Sequence, residues 1–183
     1  MFGKTVSRQA GFTLIELMIV LVIVAIGLVV ALPSYSTWMA NSRVRNAAES
    51  ILNGIQLARA EAVMRNARVQ FVSTATSDWT VGCSVPTATC PAVIQTRAAS
   101  EGSRGVRVTE SNSGTANTVF FNGFGSSVTT AGAAGPARVD FDIDSSVLSA
   151  ADSRELRVSV FRSGSARMCD PNLGGADPRR CIN

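Results

Sequence analysis

Apolar residues follow three successive patterns along the chain, and the first is a continuous run. It extends from Phe12 to Leu32 and contains a single charged residue, Glu16. As a helix rising about 1.5 Å per residue, the run spans roughly 31 Å, which is close to the ~30 Å hydrocarbon core of a bilayer. The run therefore predicts a membrane-spanning helix that carries one carboxylate near its start.

The second pattern is an apolar stripe at helical spacing. Apolar residues recur at alternating steps of three and four, as on one face of a helix: Val44, Ala48, Ile51, Ile55, Ala58 and Ala62. Two opposite-charge pairs four residues apart favour the same helix: Arg45–Glu49 and Glu61–Arg65. A helix from Phe12 to Arg65 or Asn66 follows, with its second half packed on a core. A kink is predicted at Pro33, whose ring removes a backbone donor.

From Arg68 onward the period changes to two. Five segments rich in β-branched and aromatic residues read as strands: RVQFVS, GVRVT, TVFF, ARVDFDI and ELRVSVF. Within the fourth, Val139, Phe141 and Ile143 face one way, while the aspartates Asp140 and Asp142 face the other and are expected in solvent. The predicted fold class is α+β: a long N-terminal helix packed on an antiparallel β-sheet head.

Composition excludes several classes of function. The chain lacks histidine, so His-based catalytic triads and His-containing zinc sites are absent. Asp140, Asp142 and Asp144 alternate as in a calcium loop, but neither the glycine nor the bidentate glutamate of such a loop follows. The many serines have no positioned base to activate them. We therefore expect no enzyme activity, metal or cofactor.

Four cysteines lie beyond the apolar run, which suits two disulfides in an oxidising compartment: Cys83, Cys90, Cys169 and Cys181. Four cysteines allow three connectivities. Proximity in the chain favours local pairing of the first two and of the last two. Such short loops stabilise a fold by about 2–3 kcal/mol each.

Two ordinary interpretations of the N-terminal segment compete. A cleaved secretory signal normally has an apolar core of about 7–15 residues without a carboxylate, so this segment is too long for one. A plain membrane anchor, held by Lys4 and Arg8 on the cytoplasmic side, agrees with the charge pattern. It leaves Glu16 unexplained, because intramembrane carboxylates usually mark function.

A third interpretation comes from a resemblance. The stretch GFTLIELMIVLVIVAIG, preceded by a short basic leader, resembles the class III signal of type IV pilins and type II secretion pseudopilins. The resemblance implies that a prepilin peptidase cuts after Gly11 and methylates Phe12. It also implies that Glu16, the fifth mature residue, meets the charged amino terminus of a neighbouring subunit during assembly. Such pairing makes a buried carboxylate tolerable.

The same resemblance implies an order of segments. Residues 1–11 are a cytoplasmic leader that is removed, residues 12–38 a transmembrane and filament-core helix, and residues 39–183 a periplasmic head with helix continuing to about residue 66. The chain would cross the bacterial inner membrane once and later enter a surface pilus. The implied partners are other minor pilins, the major pilin, the prepilin peptidase and the inner-membrane assembly platform.

Further motifs resemble the FimT/GspH group of minor pilins and pseudopilins, and the cysteine arrangement is most like the FimU type. The motifs are LARAEAVMRNARV, FNGFGS and VFRSGSARMC. This resemblance implies a minor pilin near the pilus tip that helps to prime or connect assembly. Alternatives are a GspH-like minor pseudopilin of a type II secretion system and a DNA-binding minor pilin for natural transformation. DNA contacts would fall on carboxyl-terminal arginines: Arg162, Arg167, Arg179 and Arg180.

Overall fold

The computed structural model of the protein describes residues 11–111 and 117–181. The chain divides into two compact units, residues 1–36 and residues 37–183. The predicted leader before Gly11 lies outside the described residues. The predicted division of the chain into leader, membrane helix and head stays a prediction.

One helix, α1 (Leu14–Arg65), runs from the apolar segment into the second unit. It ends at Asn66, whose φ of 47° places it in the left-handed region. Pro33 lies inside α1, and the kink there stays a prediction. Among the described residues, no single helix is long and apolar enough to cross a membrane. Two adjoining helical parts, Leu14–Val29 and Ala31–Arg65, have the length and composition of a membrane span only when they are taken together.

The second half of α1 supplies the helical side of the core. All six residues of the predicted apolar stripe are fully buried, and both predicted ion pairs form, with N–O distances of 2.9 Å for Arg45–Glu49 and 2.6 Å for Glu61–Arg65. Glu61, although charged, lies in a buried position and is only 8% exposed. It lies there because Arg65 covers its carboxylate and also reaches the Thr89 carbonyl.

In the described part of the head, nine strands form two antiparallel sheets over this helix. Their bounds are β1 (Val69–Ser73), β2 (Trp79–Cys83), β3 (Gln95–Arg97), β4 (Val106–Ser111), β5 (Thr118–Phe121), β6 (Ser127–Val128), β7 (Arg138–Ser145), β8 (Leu156–Phe161) and β9 (Ala166–Cys169). The strand orders are β3-β2-β1-β5-β6 and β4-β7-β8-β9. The predicted helix-plus-antiparallel-sheet fold is confirmed, with the head built from two sheets.

Phe71 of β1 links the two sheets at the centre of the core. Its ring is 5.8 Å from that of Phe141 in an edge-on arrangement and 5.9 Å from that of Trp79. The buried Trp79 indole donates from Nε1 to Ser50 Oγ on α1 at 2.7 Å. Aromatic pairs of this kind add about 0.5–1.5 kcal/mol beyond the area that they bury. The core is therefore anchored by one aromatic cluster between α1 and both sheets.

A glycine lets α1 approach this cluster. A methyl group at Gly54 would lie 2.7 Å from Phe71 Cε2 and 3.1 Å from two Trp79 ring atoms. We expect Gly54→Ala to lower the free energy of unfolding by up to about 2 kcal/mol, because overpacking costs roughly 1–3 kcal/mol and the gain in helix propensity is only about 1 kcal/mol. Urea unfolding of the full chain in detergent, followed by near-ultraviolet circular dichroism, measures this. Asn53→Ala, at the exposed neighbouring position, should be neutral or slightly stabilising.

The prediction that the β7 aspartates lie in solvent is wrong for Asp140. This residue is 1% exposed. Arg138 Nε lies 2.9 Å from its carboxylate, the Ser159 hydroxyl donates to it at 2.5 Å, and Arg157 Nη1 is at 4.0 Å. A carboxylate can be buried when charged and polar groups of neighbouring strands surround it. Alternation along one strand does not reveal those neighbours.

Candidate processing and assembly site

The helix begins two residues after the predicted cleavage point. Thr13 precedes the first helical residue, Leu14, and its hydroxyl oxygen accepts from the Glu16 N–H at 3.3 Å. The Thr13 carbonyl accepts from the Leu17 N–H at 3.2 Å. Threonine followed three residues later by glutamate is the spacing of a helix N-cap. Thr13 therefore fixes where α1 starts, and Glu16 lies in its first turn, where a negative charge is favoured by the helix dipole.

The peptide bond between Gly11 and Phe12 lies outside the helix. Both residues are exposed, Phe12 by 82%. A Cβ added to Gly11 meets no described atom within 4 Å, and no left-handed φ requires glycine there. The described fold therefore does not demand glycine at this position. A requirement for glycine at position 11 would come from an enzyme that must reach the Gly11–Phe12 peptide bond.

The Glu16 carboxylate has no hydrogen-bond or ion-pair partner within the described part of the chain. It is exposed and flanked by exposed apolar side chains, among them Ile15 and Leu17. A carboxylate in such surroundings is costly to remove from water without a cationic partner. Gly11, Phe12 and Glu16 thus fall within six residues around one helix start. Their roles in cleavage, methylation and assembly stay predictions.

The four cysteines form two local disulfides. Cys83 bonds Cys90 at the end of β2, and Cys169 of β9 bonds Cys181 in the tail, with Cα–Cα distances of 5.7 Å and 4.9 Å. The second disulfide holds the tail (residues 170–181), which is rich in turns. Directly after β9, the Asp170 N–H also donates to the Arg179 carbonyl at 2.9 Å. The tail is therefore part of the folded head as far as Cys181.

Removing the tail disulfide should lower stability without unfolding the core. We expect the double variant Cys169→Ser/Cys181→Ser to lose about 2–3 kcal/mol of unfolding free energy, since a loop of this length restricts the unfolded chain by about that amount. Urea unfolding of the full chain in detergent measures the loss. Mass spectrometry should show that Cys83 and Cys90 remain oxidised. An unchanged urea midpoint contradicts the stabilising role.

The carboxyl-terminal arginines do not form one free cationic surface. Arg162 Nε donates to the Gly135 carbonyl at 2.9 Å, and Arg167 Nη2 donates to the Pro178 carbonyl at 2.7 Å. Arg179 makes an ion pair of 3.0 Å with Asp177. This pairing holds the pKa of the Asp177 carboxyl below its usual value and raises that of Arg179. Within the described residues, only Arg180 of the four makes no side-chain hydrogen bond.

Two features of the structure were not identified from the sequence. The first is the N-cap at Thr13, although its Thr-x-x-Glu spacing was visible. The second is the exposure of three apolar side chains of the head, Val63, Met64 and Phe124. The sequence gives no signal for it, because Val63 and Met64 look like ordinary helix residues and Phe124 lies in a glycine-rich turn.

Two family models match the chain. Residues 47–164 match a family described as type II transport protein GspH, and residues 6–32 match the prokaryotic N-terminal methylation motif. No curated protein sequence matches the chain. The first match covers α1 from residue 47 onward and the strands through β8. The second covers Gly11, Phe12 and the apolar run.

Solved structures with the same architecture include two pilin-type proteins. The type IV minor pilin FimU of Pseudomonas aeruginosa PAO1 is 16% identical, with a TM-score of 0.51 over 73% of this chain and 92% of FimU. The minor pseudopilin EpsH from the Type 2 Secretion System of Vibrio cholerae is 12% identical, with a TM-score of 0.52 over 72% of this chain and 99% of EpsH. At such identities the likeness establishes the fold alone.

Proposed function

The chain belongs to the GspH family of type II transport proteins, and from this premise we propose that it is a minor pilin of a type IV pilus. It is made as a precursor in the bacterial inner membrane, with its head in the periplasm. A prepilin peptidase removes residues 1–11 and methylates Phe12. The mature subunit enters the filament near its tip, where it helps to prime or connect assembly with other minor pilins and the major pilin. Its role is structural rather than enzymatic.

The observation that supports this proposal most is the placement of the N-terminal methylation motif. Its match ends at residue 32, at the end of the apolar run. Gly11 and Phe12 lie just before α1, and the fold makes no demand for glycine there. The chain combines a head of the GspH family with a methylation motif. A subunit that moves from the membrane into a filament needs both parts.

Glu16 gives the assembly step its register. In lipid or in a filament core, the carboxylate is stable only beside a positive charge with hydrogen bonds. The new amino terminus of a neighbouring mature subunit supplies such a charge. Docking positions that leave Glu16 unpaired are disfavoured by several kcal/mol, so one position along the helix is selected. Apart from Glu16 and the neighbour's amino terminus, this role needs no titratable group.

A minor pseudopilin of a type II secretion system is the second candidate, supported by the family description. Both candidates use the same anchor, processing and head. Deleting the gene from its native host separates them. The pilus proposal expects sheared surface filaments to fall at least fivefold while secreted enzyme activity stays unchanged. The reverse result identifies a pseudopilin and contradicts our assignment.

DNA binding for transformation is less well supported by the geometry. Nucleic-acid affinity depends on the number of cationic contacts made with phosphates. Of the four candidate arginines, Arg162 and Arg167 hold turns, and Arg179 is paired with Asp177. No aromatic side chain from these tail positions is available to stack on bases. The head is therefore proposed to act through protein contacts.

A further inference from the structure

The head offers one sheet edge that is both open and apolar. Of the four described edge strands, two already have backbone partners on their outer side. On β4 the Val108 N–H donates to the Ala75 carbonyl at 3.0 Å. On β6 the Ser127 N–H donates to the Arg162 carbonyl at 3.0 Å. The remaining edges are β3, which is short and polar, and β9. Unpaired strand edges are templates for another chain.

Hydrogen-bond alternation shows which groups of β9 face outward. The Phe161 N–H donates to the Ser165 carbonyl at 2.9 Å at the start of the β8–β9 pair. Because bonding residues alternate in an antiparallel pair, Arg167 and Cys169 bond β8, whereas Ala166 and Met168 direct their N–H and C=O groups away from it. Asp170 has the same outward phase and is bonded by the tail at Arg179. An isolated parallel bridge also joins Asp170 to Arg180 at this end of the strand, so within the described residues the open backbone groups of the edge are those of Ala166 and Met168.

A groove of about 550 Å³ adjoins the open end of β9. The turn from Gly164 to Ala166 forms one wall, and the flank of α1 that includes Ala60, Val63 and Met64 forms the other. Met64 is 71% exposed. A strand added beside β9 would cover this flank and place alternate side chains in the groove.

The chemistry of the groove defines what it accepts. Its only charged lining residue is Arg59, whose Nε donates to the Gly125 carbonyl at 3.1 Å. The terminal guanidinium nitrogens of Arg59 make no hydrogen bond within the described chain. Next to Gly125, Phe124 is 89% exposed. Its loop is fixed because the Asn122 side-chain oxygen accepts from the Phe124 and Ser126 N–H groups, both at 3.0 Å. Exposed Phe, Met and Arg are characteristic of protein interfaces.

We propose that an extended segment of another pilin-type subunit binds as an added strand at the edge of β9. Main-chain bonds to Ala166 and Met168 supply affinity, and apolar side chains with one carboxylate fit the groove and Arg59. The partner chemistry follows from the exposed apolar flank of α1 and the cationic Arg59, which together suit an apolar segment with one carboxylate. This proposal rests on the proposed function, since it supplies the partner class.

Site-directed photocrosslinking tests the docking site in the full chain. Benzoyl-phenylalanine is incorporated at position 64 of the full chain, which is co-expressed with the sibling minor subunits, solubilised in detergent and irradiated. Peptide mapping should locate the cross-link in an extended segment of a sibling. The same probe at Val147, also exposed but on the β7–β8 loop, serves as the position control and should give no such link.

Edge and groove variants then separate strand addition from other docking. Ala166→Pro removes an outward N–H without removing a β8 bond, so the cross-link yield should fall at least fivefold. Ala166→Ser, which keeps that N–H, should stay within twofold of wild type. If Ala166→Pro lowers the thermal midpoint, Val63→Glu at an exposed position supplies the second test, with the same expected loss.

Several outcomes overturn the docking proposal. They are a cross-link to the apolar helix of a neighbour, to a second copy or to lipid, or a link that survives both Ala166→Pro and Val63→Glu. If the variants lose the cross-link while the sibling subunits still co-purify through other contacts, the docking proposal is supported. If no pilin-type subunit co-purifies with the wild-type chain, the proposed function fails as well, which is a different result from failure of the groove alone.

Discussion

Gly11→Val is expected to block processing almost completely while leaving the head folded. A Cβ at this position meets no described atom, and the peptide bond that follows lies outside α1. The side chain therefore cannot disturb the fold described here. Valine nevertheless adds a branched group next to the bond at which the proposed peptidase would act, and a substrate displaced by about 1 Å can lose roughly a hundredfold in rate.

Immunoblotting after induction measures the change in processing. Wild-type chain should shift to a product shorter by the residues through Gly11, whereas Gly11→Val should remain at precursor length with at least a tenfold lower processed fraction. Gly27→Val is the matched control, because a Cβ at Gly27 also meets no described atom. It should be processed as wild type. Full processing of Gly11→Val contradicts the assigned cleavage point.

Glu16→Ala is expected to leave membrane insertion and cleavage intact but to reduce incorporation into filaments at least tenfold. The substitution removes a charge from an apolar run, so insertion becomes easier rather than harder. In the proposed filament, the substitution would leave a neighbour's amino terminus buried without its partner. Breaking a buried ion pair in this way costs about 3–5 kcal/mol, which exceeds the 1.4 kcal/mol that corresponds to a factor of ten.

The helix-capping role of this region provides the control. Thr13→Val removes the hydroxyl that accepts from the Glu16 N–H and should cost about 1 kcal/mol at the helix start. Glu16→Ala keeps that backbone N–H and loses only the carboxylate. Carbonate extraction measures insertion, and the ratio of protein in sheared filaments to membrane measures incorporation. Equal losses in the two variants would assign the effect of Glu16 to helix formation instead of pairing.

The core of the fold was predictable because its residues are apolar at regular intervals. The stripe from Val44 to Ala62 and the alternation at Val139, Phe141 and Ile143 both correspond to buried faces. Periodicity reports which face of an element is apolar, and for these elements nothing competes with burial of that face. The local disulfides follow in the same way from short separations along the chain.

Features that depend on contacts between distant segments were not predictable from periodicity. Asp140 is buried because Arg157 and Ser159 of β8 reach it. Glu61 is buried under Arg65, which also bonds the Thr89 carbonyl of a disulfide loop. The groove beside β9 exists because a turn and one helix flank leave space between them. Each arises from neighbours that a single strand or helix pattern does not identify.

The central claim is that the mature protein begins with a methylated Phe12 and places Glu16 at the fifth position. Intact-mass analysis and amino-terminal sequencing of the native protein, purified from filament-bearing cells, test it most directly. We predict a chain lacking residues 1–11, with one added methyl group on the Phe12 nitrogen. A protein that retains Met1 and an unmodified amino terminus in cells with functional filaments contradicts the account.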